Sequence, residues 1–320
     1  MLLSTIVFQK TATSKGLKLR FWSFLRKNIL RFLDDPICRM PVHGRVININ
    51  LSHDLPLYQA RHPLYDTLPV RLANFLRLRN GHLVGIDVGA NIGDSLVAFV
   101  SVASDQFLAI EPNPKFFQIL QSNWKDDPRV IALPVLCSDV EEVANVQIIE
   151  RRGTASVVKL TNGSGMQQRT IDSLVIDYSF LNNCNLIKVD TDGHDFEVLD
   201  GAMFLIGRTK PAVLFECDVF GRENYTERIL QIFQKFQRAG YGGFILYDNF
   251  GNLMGRYLFG RLENFFHLVF YQLSSAFHYF DILVLVDDDL HNFHGMEVEF
   301  FTRKCVDSKL SGTALTAAMS

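Results

Sequence analysis

The sequence lacks the marks of several protein classes. Its five cysteines (Cys38, Cys137, Cys184, Cys217 and Cys305) are scattered and odd in number, and no Cys-x-x-Cys occurs. A disulfide framework and a paired-cysteine zinc site are therefore not expected, and the thiols read as buried groups of a reducing compartment. Neither charge is in excess. The net charge of −2 gives no ground for expecting nucleic acid as a partner. Long, uniformly apolar runs are also missing. The richest, residues 264–280, carries no acid, Lys or Arg but is interrupted by His267, Gln272, Ser274, Ser275 and His278, so a membrane span is not expected. Met1–Phe8 has no basic residue ahead of its short apolar run, and a secretory signal is not expected either. There is no internal repeat and no low-complexity tract. What remains is an ordinary globular composition: 320 residues, 48% hydrophobic and 21% charged. That length suits one large or two modest domains, and a cytoplasmic location is the expectation.

Charge is unevenly spread. Residues 1–45 carry nine Lys/Arg against Asp34 and Asp35, a balance of +7, and the remainder stands at −9. The chain divides accordingly into a basic, helical N-terminal extension (1–80), a main domain (81–305) and a small, polar tail (306–320) expected to lack order. Within residues 15–33, Phe21, Trp22, Leu25, Ile29, Phe32 and Leu33 recur at three- and four-residue spacing, with Lys18, Arg26, Lys27 and Arg31 between them. This is an amphipathic helix. Docking of its apolar face on the rest of the chain is the ordinary outcome. Peripheral contact with the inner surface of a membrane is the alternative.

From Leu83 onward, short apolar runs alternate with helical patterns. Strands are expected at Leu83–Val88, Phe107–Ile110, Val130–Leu136, Leu186–Val189 and Val213–Cys217. Helices are expected at Asp94–Val102, Pro114–Trp124, from Phe196, and at Glu223–Ala239. A polar β-rich insert (Val146–Ile149, Ser156–Leu160, Arg169–Ile171) interrupts them. The alternation implies a parallel sheet with helices on both faces. The aromatic C-terminal part adds strands at Tyr241–Leu246 and Asp281–Val286. Between them lies a helix through Leu258, Leu262, Phe265, Phe266, Val269 and Leu273, expected to pack in the core, with a substrate-facing wall or a homo-oligomer interface as alternatives.

Three segments carry candidate chemistry. The first is Asp87-Val88-Gly89-Ala90-Asn91-Ile92-Gly93, where the first parallel strand turns into a helix. Glycines at such a turn allow close backbone approach to a ligand at the carboxyl edge of the sheet. The dinucleotide fingerprint needs a further glycine where Asp87 stands. A carboxylate there repels a pyrophosphate and suits a cofactor bearing an ammonium and a sulfonium, which describes S-adenosylmethionine and not NAD. The second is Glu111, 18 residues beyond Gly93, near the spacing of about 20 expected for the acceptor of a ribose diol. Ser138 and Asp139, after the third strand, would lie at the same edge, where Asp139 suits an adenine amino group. The third is Lys188-Val189-Asp190-Thr191-Asp192-Gly193-His194-Asp195. Asp190 and Asp192 suit a divalent cation such as Mg, and Asp190 or His194 suits proton removal from a hydroxyl. Asp195 reads as a helix cap.

The loop Asp87–Asp94, Glu111-Pro112-Asn113-Pro114, Ile171-Asp172-Ser173-Leu174, Lys188–Asp195 and Glu197-Val198-Leu199-Asp200-Gly201-Ala202 together resemble FkbM-type S-adenosylmethionine-dependent methyltransferases over roughly residues 80–290. Where that family usually shows Asp-x-Glu-Gly-x-Glu, this chain has Asp192 and Asp195, each one methylene shorter. The resemblance implies an α/β, Rossmann-like, doubly wound sheet of seven strands, mostly parallel with one antiparallel strand near the end. It also implies O-methyl transfer to a sugar, as in polysaccharide biosynthesis, or to a glycosylated natural product. Asp190 is then the expected catalytic group, with Asp192 and His194 as helpers. Two other functions remain open on the residues: a metal-dependent glycosyltransferase using Asp190-Thr191-Asp192, and a non-catalytic membrane-associated scaffold.

Overall fold

A computed structural model describes residues 2–151, 153–159, 164–219, 222–275, 279–305 and 307–319. Leu160, at the end of an expected strand, and His278 lie outside the described residues. The chain opens with helices α1 (Leu2–Thr13) and α2 (Gly16–Phe32). A hairpin of β1 (Ile37–Val42) and β2 (Arg45–Asn50) follows, then helices α3 (Leu55–Arg61) and α4 (Leu68–Asn80). The hairpin was not expected in so proline-rich a segment. Its two-residue turn, His43-Gly44, has positive φ at both positions, the backbone that matches strand twist.

The main domain continues with β3 (Val84–Val88), α5 (Leu96–Phe99), β4 (Gln106–Ile110), α6 (Pro114–Trp124) and β5 (Val130–Leu133). The insert is β6 (Leu136–Cys137), β7 (Val143–Arg151), β8 (Thr154–Lys159) and β9 (Ser164–Arg169), paired in the order β6-β9-β7-β8. Ile171, expected at the end of a strand, instead begins α7 (Ile171–Asp177). Then come β10 (Leu186–Val189), α8 (Asp195–Asp200), α9 (Met203–Thr209), β11 (Ala212–Cys217) and α10 (Tyr225–Arg238). The last part holds β12 (Gly243–Asp248), β13 (Leu253–Leu258), α11 (Glu263–Ser274), β14 (Phe280–Leu285), α12 (Asp287–Thr302) and α13 (Ser311–Met319). The tail expected to lack order is thus helical over α13.

The large sheet runs β13-β12-β14-β11-β10-β3-β4-β5. Strands β5, β4, β3, β10 and β11 are parallel, and β14 enters antiparallel between β11 and β12. The doubly wound, mostly parallel sheet is therefore as expected, with β13 as an eighth strand at the edge. All five residues of β3 are buried, as in parallel strands covered on both faces. One apolar cluster joins the extension (Ile47, Leu72, Phe75) to Phe107 and Phe293 on one face. The other collects Phe196, Phe233, Phe244 and Phe265. Phe265 and Val269 of α11 are core residues, as expected.

The extension is fastened to the sheet domain through polar ties as well. Arg71 makes a two-pronged pair with buried Glu297 (2.6 and 2.9 Å), to which the Tyr247 hydroxyl also donates at 2.9 Å. Arg77 pairs with buried Asp105 at 3.0 Å. No described helix is long and apolar enough to cross a membrane.

Candidate active site

The carboxyl ends of β3, β4, β10 and β11 open into a cavity of about 350 Å³. Its described lining holds nine carboxyl side chains and one lysine, Lys188. The extension supplies one wall through His53, Asp54, Tyr58, Tyr65 and Asp66. In β10, Lys188 stands in parallel register with Asp87 of β3. Its Nζ lies 3.5 Å from Asp87 Oδ1 and 3.0 Å from Asp190 Oδ2.

Asp87 is fully buried and is not part of the lining. Neither of its oxygens has a hydrogen-bond partner among the described residues. Burial pushes its pKa up to about 6, against the pull of Lys188. Asp87 therefore reaches the cavity through Lys188 instead of facing a ligand directly. The negative potential at the loop comes from its neighbours. Glu111 accepts from the Asn91 amide and the Asn113 amide, both at 2.8 Å, and burial raises it to about 7. Asp94, half-buried on the cavity wall, is also raised to about 7, by burial and then by Asp66.

The loop's two glycines serve different ends. Gly89 has φ +74°, and a Cβ there would lie 1.8 Å from the Asp190 carbonyl oxygen. This lets β3 and β10 come together under the cavity. Gly93 (φ +82°) abuts Trp124, whose indole Nε1–H donates to the Gly93 carbonyl at 3.0 Å. The amides of Gly89 and Ala90 both donate to the Ile110 carbonyl at 3.0 Å. The expected helix Asp94–Val102 shortens to α5, so it offers no long N-terminus to a ligand.

Of the expected residues, the structure brings Gly89, Asn91, Glu111, Asp190 and Asp192 to the cavity. Ala90, Gly93, Ser138, Asp139 and His194 do not line it. Ser138 is fully buried beneath His194, whose Nε2 lies 3.3 Å from Ser138 Oγ, while Asp139 points to solvent. His194 Nδ1 is 3.6 Å from Glu197, and Glu197 in turn pairs with Arg222 at 2.7 Å. Asp195 does not cap α8. It accepts from the Thr191 hydroxyl at 2.9 Å and from the Glu216 amide at 3.3 Å, locking the Asp190–Asp195 loop to β11. Asp172 caps α9 instead, accepting from the amides of Phe204 and Leu205 at 3.0 and 2.8 Å.

Several cavity residues escape sequence reasoning. Lys188 carried one signal, a lysine inside an otherwise apolar strand. Glu216 and Asp281 face each other in antiparallel register between β11 and β14. Burial, reinforced by Asp190, lifts Asp281 to about 8 and Glu216 well above its usual range. His53 accepts the Leu55 amide at Nδ1 (3.2 Å), and burial lowers its pKa to about 4, so the ring is neutral. Its ring packs over Gly153, where a Cβ would come within 2.8 Å of it.

The lining fits an organic cation with ribose-like hydroxyls. The volume is in the range of small-molecule sites. Glu111 oxygens retain a lone pair each beyond their backbone bonds, and carboxyl groups far outnumber the single ammonium. For a metal ion, Asp190 already holds Lys188, and no group of three or more His, Cys, Asp or Glu able to hold one is found among the described residues.

Residues 87–242 match the family model described as the methyltransferase FkbM domain. No curated protein matches the sequence. Among solved structures, the chain is similar to methyltransferase FkbM from Methylobacillus flagellatus KT, at 19% identity over 56% of this chain with a TM-score of 0.33. That match spans about half (52%) of the other chain. It is also similar to precorrin-6y C5,15-methyltransferase from Geobacter metallireducens GS-15 (11% identity, 68% of this chain and 87% of that one, TM-score 0.37). A third is M. jannaschii TYW2 in complex with AdoMet (10%, 79% and 86%, 0.37). Residues 87–242, just under half of the chain, thus match a methyltransferase FkbM domain.

Proposed function

We propose that the protein transfers a methyl group from S-adenosylmethionine to a hydroxyl of a sugar, a polysaccharide or a glycosylated small molecule. One observation carries this: a carboxyl-lined cavity at the strand ends, with Glu111 beyond β4 and Asp190 beyond β10 on either side of the Gly89 loop. When bound, S-adenosylmethionine supplies a methyl group on a sulfonium, open to in-line displacement. Glu111 is assigned to the ribose diol, with Gly89 and Asn91 forming the adjoining backbone. Most of the acceleration is expected from alignment of the reacting atoms.

A sugar hydroxyl is a weak nucleophile at neutral pH and gains from a base. Asp190 is assigned that proton. The ammonium of Lys188 at 3.0 Å supports the assignment by holding the carboxylate in one orientation. A polyhydroxylated acceptor is supported by the remaining lining, where Asp192, Asp218, Asn249, Tyr65 and Tyr279 offer acceptors and donors in place of an apolar slot.

Calorimetry tests the proposal. S-adenosylhomocysteine should bind while a UDP-sugar with magnesium does not, and the reverse pattern would overturn it. Asp190→Asn should keep the affinity for S-adenosylhomocysteine and lose on the order of 10²–10⁴ in turnover, the usual worth of a general base. Loss of binding instead would move Asp190 from chemistry to the cofactor shell.

A further inference from the structure

We propose that α2 docks the protein peripherally on an anionic membrane surface. The sequence left two placements for this helix, and its exposure favours the second. No residue of α2 is buried. Leu17, Phe21, Phe24 and Phe32 are 81, 58, 68 and 76% exposed, and Leu33 just beyond them is 57% exposed. Their spacing of three, four and eight residues puts the first four on one face of the helix.

The inward side is pinned. Arg26 donates to the carbonyls of Leu51 (2.8 Å) and His53 (3.0 Å) and pairs with Asp54 at 3.0 Å, while Ile29 and Leu30 rest on the core. The aromatic stripe therefore faces outward from a fixed helix. It is not a face awaiting burial in its own domain.

Charge selects the occupant. Exposed Arg20, Lys27 and Arg31 flank one edge of the stripe and Lys18 the other, and residues 16–33 contain no acid. Phenylalanine and leucine ringed by Lys and Arg match the interfacial helices that seat at a headgroup boundary. A second copy of the chain would oppose its own basic edges. An anionic lipid surface complements both the stripe and its rim. The neighbouring helix α1 also exposes Leu3, Ile6 and Lys10.

The test is co-sedimentation of the full chain with vesicles of phosphatidylcholine containing about one third phosphatidylglycerol, against phosphatidylcholine alone. The protein should pellet with the anionic vesicles and be released by high salt. Lys27→Glu/Arg31→Glu should weaken partitioning by at least roughly thirtyfold, and Phe21→Ser/Phe24→Ser should abolish it. All four side chains are in solvent, so both variants should melt with the wild type. Retention in the supernatant, equal pelleting on neutral vesicles, or an unchanged charge variant would overturn the proposal. So would a dimer that the Phe21→Ser/Phe24→Ser change dissolves in the absence of lipid. None of these outcomes depends on cofactor or methyl acceptor.

Discussion

Replacing Gly89 by alanine separates two effects that a glycine at this turn combines. The first is backbone strain: at φ +74° a Cβ costs about 1–2 kcal/mol. The second is collision. The added carbon would stand 1.8 Å from the Asp190 carbonyl oxygen, so one strand end must retreat by about 1.5 Å to restore ordinary contact. Overpacking of that kind costs about 1–3 kcal/mol, for a total of about 2–5 kcal/mol. Gly44→Ala is the control, because Gly44 has φ +89° but a Cβ added there would meet nothing within 4 Å. It should lose the strain alone, about 1–2 kcal/mol. At about 2–4 °C per kcal/mol, thermal melts resolve the difference. Since the retreating group is the backbone of Asp190, Gly89→Ala should also slow single-turnover methyl transfer by on the order of 10²-fold, as expected for a misplacement of about 1 Å. Gly44→Ala should not. Equal melting of the two variants, with turnover intact in both, would refute the idea that the cavity floor depends on this close approach.

Lys188→Met removes the ammonium shared by Asp87 and Asp190. It should destabilise by about 3–5 kcal/mol at pH 8, chiefly through buried Asp87, and by less at pH 5, where Asp87 (about 6 in the folded protein) is already protonated. A deficit independent of pH in urea titrations would contradict the pairing. Asp87, Asp94 and Glu111 all have folded pKa values raised above their ordinary ones, so the folded chain binds more protons than the unfolded chain. Their contribution to stability is therefore fullest below about pH 4 and declines as pH rises to about 7. A cationic donor favours their ionised forms, so S-adenosylmethionine should bind more tightly across the same interval and release protons. Calorimetry in buffers of different ionisation heat would detect this, and affinity that falls with pH would count against it. His194→Ala should cost about 1 kcal/mol of stability and leave kcat within about twofold, because the ring faces Ser138 and Glu197; a hundredfold loss in steady-state rate would return it to the reacting centre.

The local features were legible because they depend on neighbours in sequence. Strand, glycine turn and helix at residues 84–99, helix α6 beginning at Pro114, and the Asp190–Asp195 loop are each written within a few residues. Glu111 was legible for the same reason, one strand further on. Ser138 and His194 were expected at the same carboxyl edge too, but Ser138 follows β6 of the four-stranded insert, and His194 meets Ser138 away from the cavity lining. The β1–β2 hairpin hid behind Pro36 and Pro41, although Pro41 is tolerated in a two-stranded ribbon.

By itself, the sequence determined the alternation that yields a doubly wound sheet, the edge where the cavity opens, and the amphipathic period of α2. Periodicity does not say which side of a helix faces water; that depended on Arg26 meeting the carbonyls of Leu51 and His53. Only the tertiary structure decided that Lys188 neutralises Asp87, that β14 brings Asp281 opposite Glu216, and that His53 and Tyr65 close the cavity. Each of these joins residues from about 65 to over 100 positions apart, and such contacts are set by strand register and by packing of the extension, which no local pattern encodes.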